Sequence, residues 1–295
     1  MASLAAKMAD NAEQVEIELD RLLPRAEGAQ ARLHEAMRYA TLGGGKRLRP
    51  FLVLATADLF GVPHAQARRA GAAIEMIHSY SLVHDDLPAM DDALTRRGQP
   101  SCHRQYDDAT AVLVGDALQT LAFEVLADEP THPDPSVRCQ LVHGLAVASG
   151  AAGMCGGQMI DLEAEQRTLD MDQVLELQRL KTGALIGFAC EAGAILGAAP
   201  ARARTALLGY AADLGLAFQI QDDLLDVTGD EALAGKDLGR DEAAGKATVV
   251  SLLGTAGART RLEELRRSAA AHLQEIDGEV HLLHEVFEFV ISRLN

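Results

Sequence analysis

Residues 72–88 read AAIEMIHSYSLVHDDLP. The run from Ala72 to Asp86 reads as helix, and Pro88, which has no backbone N–H and restricts the residue before it, cannot continue it easily. The helix is therefore expected to end near Asp86. Asp85 and Asp86 then sit at a helix C-terminus, where the macrodipole disfavours anions, and the two preceding turns hold no Lys or Arg to compensate them. Asp91 and Asp92 follow just beyond the proline, so four carboxylates crowd one bend.

Working outward, apolar residues recur at three and four, as in Val15, Leu19, Leu22 and in Val174, Leu177, Leu180. Short turn signals separate these runs: Gly43-Gly44-Gly45, Gly61-Val62-Pro63, Gly98-Gln99-Pro100, Glu129 to Pro135, and Gly229 to Gly239. Alternating strand patterns are absent. The reading is a single all-α domain over residues 1–295, a large bundle of about ten helices.

Composition narrows the function. The chain has 295 residues, 48% hydrophobic and 24% charged, which suits a globular protein with a sizeable core. Lys plus Arg is 27 against 43 Asp plus Glu, a net charge of −16 that repels nucleic acid and anionic lipid. Cys102, Cys139, Cys155 and Cys190 stand far apart, which argues against a zinc site or a disulfide framework. Acidic residues are spread through Met1 to Arg21, so no secretory signal is expected and the reading is cytoplasmic. The longest uncharged stretch, Cys139 to Ile160, carries Gln140, His143, Ser149 and Gln158 and is read as a buried helix rather than a membrane span.

A second acidic cluster, Asp222-Asp223-Leu-Leu-Asp226, echoes the first. Asp222 and Asp226 are four apart and share a helix face, which is mildly destabilising unless a cation bridges them. Hard divalent cations, magnesium above all, suit such carboxylates together with substrate phosphates. Alone, the first cluster suits a solvated acidic loop equally well, whereas in the otherwise apolar helix of the second an uncompensated acidic triplet would be costly. The basic counterparts are Lys46, Arg47 and Arg49 after the triple glycine, Arg96-Arg97-Gly98, and Lys181-Thr182-Gly183. Each can contribute donors to an anion, and each alone can be a solvated cap or turn. His78 lies two turns before Asp85 on the same face. No nucleophile motif or dinucleotide fingerprint is present.

Taken together, Gly-Gly-Lys-Arg-x-Arg-Pro, an Asp-Asp-x-x-x-x-Asp motif followed by Arg-Arg-Gly, Lys-Thr-Gly, Gln-Asp-Asp-x-x-Asp and a downstream Gly-Lys closely resemble the short-chain trans-prenyl diphosphate synthases. The resemblance runs in order from about Leu42 to Leu253. It implies the isoprenoid synthase fold and the head-to-tail condensation of isopentenyl diphosphate with an allylic diphosphate, dimethylallyl and then geranyl. It also implies three magnesium ions and a homodimer. By resemblance, Asp85, Asp86 and Asp91 form the first metal motif and Asp222, Asp223 and Asp226 the second. Lys46, Arg49, His78 and Arg97 match the residues that hold isopentenyl diphosphate. Arg96, Lys181 and Lys236 match those on the allylic diphosphate, and Lys246 is the second lysine of the Gly-Lys pair. Thr182 and Gln221 match positions beside the allylic carbon.

In that family a bulky aromatic five residues before the first acidic motif limits chain growth, and Tyr80 stands there, with the small Ser81 next to it. The implied product is fifteen-carbon farnesyl diphosphate, with a geranyl or geranylgeranyl product as the alternative. Two positions depart from the family pattern: Ala93-Leu94-Thr95 precedes Arg96, and Val249-Val250 stands where Tyr-Pro is usual. Two other classes compete. A phosphohydrolase of the HD type is suggested by His84-Asp85 but needs further metal histidines, and His103 and His143 lack a recognisable spacing. A noncatalytic subunit of a prenyl synthase is expected to have lost its acidic motifs, and both are intact here.

Overall fold

The structure is a computed structural model that describes residues 3–164, 166–228 and 247–293. In chain order it has helices α1 (Leu4–Leu22), α2 (Ala31–Thr41), α3 (Leu48–Asp58) and α4 (His64–Asp85), then strands β1 (Thr95–Arg96) and β2 (Gln99–Pro100). Helices α5 (Cys102–Gln105), α6 (Asp108–Ala127), α7 (Pro135–Ser149), α8 (Met154–Ala164) and α9 (Met171–Gln178) follow. A π-helical turn, Arg179–Gly183, leads into α10 (Ala184–Leu196) and α11 (Ala201–Thr228), and the chain closes with α12 (Val249–Gln274) and α13 (His281–Ser292). The all-helical expectation holds. The described residues form two compact units, one of residues 1–145 with 195–198 and one of residues 146–194 with 199–295.

The first unit is organised by α4, which begins after Pro63 and ends with Asp86 as its C-cap, where the Pro88 signal places it. Ile74, Met76 and Ile77 of α4 are fully buried against α3 and α6, each contributing about 1.5–3 kcal/mol of burial. Glycine lets α3 come close: a side-chain carbon at Gly71 would lie 3.1 Å from Pro50. The β1–β2 pair is a difference from the sequence reading. Arg97 and Gly98 both have positive φ, 52° and 77°, the pattern of a two-residue type I′ turn, and two residues per strand are too few to leave an alternating pattern.

The second unit is organised by α11 and α12, with α9 and the π turn against α11 and α8 against the π turn and α9. Tyr210 on α11 is fully buried and donates its hydroxyl to the Leu283 carbonyl at 2.8 Å, pinning the start of α13. The Val249-Val250 departure is absorbed at the start of α12. Thr248 and Ser251 cap each other's backbone N–H groups, and both valines are buried in the first turn. The stretch Cys139 to Ile160 is not one buried helix. It breaks between Ser149 and Met154, around Gly150 and Gly153, and leaves Val147 and Met159 exposed. A turn made of Ala and Gly within an apolar run carries no polar signal to announce it.

One buried ion pair ties three segments of the first unit. Arg47 has a left-handed backbone, φ 45°, and its side chain is almost wholly buried. It donates to Glu75 on α4, Glu16 on α1 and the Thr41 carbonyl, each at 2.6 Å. Burial works against its charge, but Glu75 and Glu16 more than offset that and raise its pKa. Removing Glu75, its buried carboxylate partner, leaves the buried guanidinium with only the half-buried Glu16 and a carbonyl. Glu75→Ala should therefore lower unfolding stability by about 3–5 kcal/mol, read as a shift in denaturant midpoint at constant slope.

Candidate active site

The first cluster of functional side chains hangs from the C-terminal end of α4 and the turns beside it. Asp91 N donates to the Asp85 carbonyl at 2.9 Å and Ala93 N to the Asp86 carbonyl at 3.2 Å, so the bend folds back on the helix end. Asp85 is half-buried and Asp91 exposed, whereas Asp86 is buried. Arg96, carried by the small hairpin, grips Asp86 with Nε 3.1 Å from each carboxylate oxygen. Despite burial, Asp86, Asp85 and Asp91 together raise the pKa of Arg96. All three carboxylates therefore act on one guanidinium.

Around His78, two turns back along α4, the sign reverses. Burial and the charges of Arg49, Arg97, Arg47 and Arg96 hold its imidazole well below the ordinary value, so it is neutral at pH 7. Of these arginines, Arg47 is consumed by Glu75 and Glu16, and Arg96 by Asp86. Arg49 and Arg97 remain, and both have lowered pKa values, first through burial and, against the pull of Glu75, through neighbouring guanidinium groups. Among the described residues Arg49 Nε is buried without a hydrogen-bond partner, and Arg97 Nη1 donates to the Gly44 carbonyl at 2.6 Å. Lys46 is exposed beside them on the glycine turn, where Gly44 and Gly45 have φ of 75° and 125°. Concentrated cation with incomplete pairing is the electrostatic signature of an anion site.

Tyr80 is buried on α4 with its ring edge-on to His84, centroids 5.6 Å apart. Ser81 is buried too and donates to the His78 carbonyl at 2.9 Å. His103 lies 3.7 Å from Asp92 and His143 is exposed on α7.

The second cluster lies within the second unit. Asp222, Asp223 and Asp226 stand on the last turns of α11, with Asp223 and Asp226 buried. Asp223 accepts from Gln178 Nε2 and from the backbone N–H of Val249, both at 3.3 Å. Arg293, just beyond α13, donates to Asp222 at 2.7 Å and to the Phe218 carbonyl at 2.8 Å, and stacks 3.8 Å over the Phe218 ring. Gln221 returns a hydrogen bond to the Arg293 carbonyl at 3.0 Å. Lys181 and Thr182 ride on the π turn, a feature that often marks functional sites. Lys181 Nζ pairs with Asp161 at 2.7 Å. The π turn sits close because Gly157 and Gly215 face it: a side chain at Gly157 would overlap the Lys181 backbone, and one at Gly215 would lie 3.0 Å from Gly183.

Sequence reasoning missed Arg293, Asp161, Gln178 and Gly157, whose roles arise from tertiary contact; only the small-residue run Gly153–Gly157 hinted at close approach. Lys236 and Lys246 lie outside the described residues. Among the described residues no three His, Cys, Asp or Glu side chains converge into a complete metal cage. The donor chemistry is nevertheless that of magnesium, which takes one or two protein carboxylates and completes its shell with phosphate oxygens and water.

The chain is similar to known proteins over most of its length. The polyprenyl synthetase family model matches residues 30–283. The farnesyl diphosphate synthase of Escherichia coli (strain K12) is 48% identical over 265 residues, covering 88% of each chain. The crystal structure of an FPP/GFPP synthase from Zymomonas mobilis superposes with a TM-score of 0.89 at 48% identity, covering 98% of this chain and 99% of that one. A geranyltransferase from Helicobacter pylori, complexed with magnesium and isoprenyl diphosphate, superposes with a TM-score of 0.84 at 31% identity, covering 99% of this chain and 97% of that one.

The neutral His78 has a consequence for stability. Its unfolded imidazole takes up a proton near 6.5, the folded one only at lower pH, so the folded state loses stability as pH falls below about 6.5. His78→Gln should flatten that part of the profile, measured as unfolding free energy between about pH 7 and pH 5, where one such group contributes up to about 1.4 kcal/mol per pH unit.

Proposed function

The chain belongs to the polyprenyl synthetase family, and from that premise we propose that it is a trans-prenyltransferase that condenses isopentenyl diphosphate with an allylic diphosphate to give (2E,6E)-farnesyl diphosphate and diphosphate. The observation that carries the reading is the coexistence, on α4 and its flanking turns, of a carboxylate bend and an under-paired arginine cluster. A diphosphate with bound cations satisfies both. The whole chain is carried as one polyprenyl synthetase domain, because the family match spans both compact units.

Magnesium, three ions by family resemblance, would be held by Asp85, Asp86 and Asp91 and by Asp222, Asp223 and Asp226, and would supply positive charge to the departing diphosphate. That a Helicobacter relative is complexed with magnesium and isoprenyl diphosphate supports magnesium as the cation. Lys46, Arg49, His78 and Arg97 bind the diphosphate of isopentenyl diphosphate. His78 does so as a neutral donor, which suits a site already rich in cations. Arg96 and Lys181 take the allylic diphosphate, with Lys236 and Lys246 completing the set. In the free protein Arg96 and Asp86 neutralise each other, as do Arg293 and Asp222, so these acidic positions are held ready without exposing bare charge. The allylic C–O bond ionises, the double bond of isopentenyl diphosphate attacks the cation, and the departed diphosphate takes the proton. That sequence explains why no protein base or nucleophile motif is found. Thr182 and Gln221 present a hydroxyl and an amide oxygen to the positive charge, and Tyr80 sets the floor under the growing chain.

The homodimer is part of the same reading. Helix α6 is long and apolar enough to cross a membrane, yet only 39% of its most apolar window is buried, and Val112 and Leu113 lie exposed on it. An uncovered apolar face of that kind suits a second copy of the chain. The location that fits water-borne diphosphate substrates is the cytoplasm.

Purified protein given magnesium, labelled isopentenyl diphosphate and geranyl diphosphate should incorporate label, and chelation of the metal should abolish incorporation. Asp85→Ala and Asp222→Ala should each lower turnover by orders of magnitude with the fold intact by circular dichroism. Near-normal turnover of either variant at saturating magnesium would contradict the metal assignment. Tyr80→Ala should lengthen the product to twenty carbons or more, and Ser81→Phe should shorten it to ten, both read by chromatography.

A further inference from the structure

Tyr80 can act as a floor only if its ring holds its place when a hydrocarbon chain presses on it. On α4 the side chain four residues on, His84, lies on the same face and meets the Tyr80 ring nearly perpendicular, at 80° and 5.6 Å between centroids. This is the favoured edge arrangement of two rings. His84 is itself fixed from α6. Its Nε2 is 3.1 Å from the Val112 carbonyl, a bond in which the imidazole donates and the carbonyl accepts. Under the ring lies Gly115, where any side-chain carbon would overlap His84 Nε2 and Cδ2. Gly115 is buried mid-helix with ordinary helical φ, so backbone freedom does not call for glycine there. The space for the His84 ring does.

We propose that His84 is a positioning residue for product length: clamped between the Val112 carbonyl and the bare backbone at Gly115, it braces Tyr80, and the size of residue 115 thereby bears on where elongation stops. The inference rests on the reading of Tyr80 as the floor. It differs from that reading in assigning the position of the floor to α6, two contacts away from the chain.

The test uses the full-length protein with magnesium, isopentenyl diphosphate and geranyl diphosphate, with products dephosphorylated and chromatographed and a thermal melt run on each variant. Gly115→Ala and His84→Ala should each raise the twenty-carbon share severalfold at the expense of the fifteen-carbon product. His84→Phe, which keeps a ring against Tyr80, should retain mainly the fifteen-carbon product. In the Tyr80→Ala background, neither Gly115→Ala nor His84→Ala should change the distribution further. Should Gly115→Ala not fold, the contrast between His84→Ala and His84→Phe decides the matter. If Tyr80→Ala lengthens products while Gly115→Ala and His84→Ala change only turnover or melting temperature, the brace is refuted and the floor stands. If Tyr80→Ala leaves product length unchanged, the floor itself is refuted, and the brace with it.

Discussion

The Arg47 guanidinium, turned inward by a left-handed backbone and shared among Glu75, Glu16 and the Thr41 carbonyl, is the constraint from which the first unit's chemistry follows. It joins α1, the end of α2 and α4 at one buried point. It also fixes the exit of the glycine turn, so that Arg49, two residues on, begins α3 near Glu75 and Arg97 without a full complement of hydrogen bonds. A buried ion pair is an expensive way to add stability, because the desolvation cost is comparable to the attraction. Its value here is positional. Arg47 is satisfied internally, as Arg96 is by Asp86, and Arg49 and Arg97 are left with incomplete pairing.

The same division of labour recurs on the acidic side. Asp86 is closed by Arg96, and Asp222 by Arg293, while Asp85 and Asp91 stay accessible to solvent. Charges of both signs are therefore held close without mutual cancellation being complete. No complete metal cage exists among the described residues, and none is required if phosphate oxygens supply the missing ligands. On the proposed function, substrate and cation would complete each other's sites. An enzyme built this way also needs no protein base, since the departing diphosphate carries one.

Much of this is legible in the sequence where covalent chemistry dictates local structure. Pro88 ends α4 at Asp86 because it lacks an N–H, and the spacing of Asp222 and Asp226 places them on one face of α11. What is not legible depends on φ values or on distant approach. Nothing in Lys46-Arg47-Leu48-Arg49 tells which guanidinium turns inward; the left-handed φ at Arg47 decides it. Arg293 meets Asp222 only because α13 packs along α11, anchored at Tyr210. The break at Ser149 to Met154 hides in a run of alanine and glycine, and the type I′ hairpin is shorter than any periodicity can register. Gly115 and Gly157 read as unremarkable helix glycines until the His84 ring and the Lys181 backbone are placed against them.

On the proposed function, the carboxylate clusters are half-built metal sites that only a diphosphate completes. Calorimetric titration of magnesium into the wild-type protein, with and without saturating inorganic diphosphate, tests it most directly. Weak magnesium binding to the protein alone is expected, with a large gain in affinity when diphosphate is present, lost in Asp85→Ala. A tight, stoichiometric magnesium site in the absence of diphosphate, unchanged on adding it, would show that diphosphate does not complete the clusters.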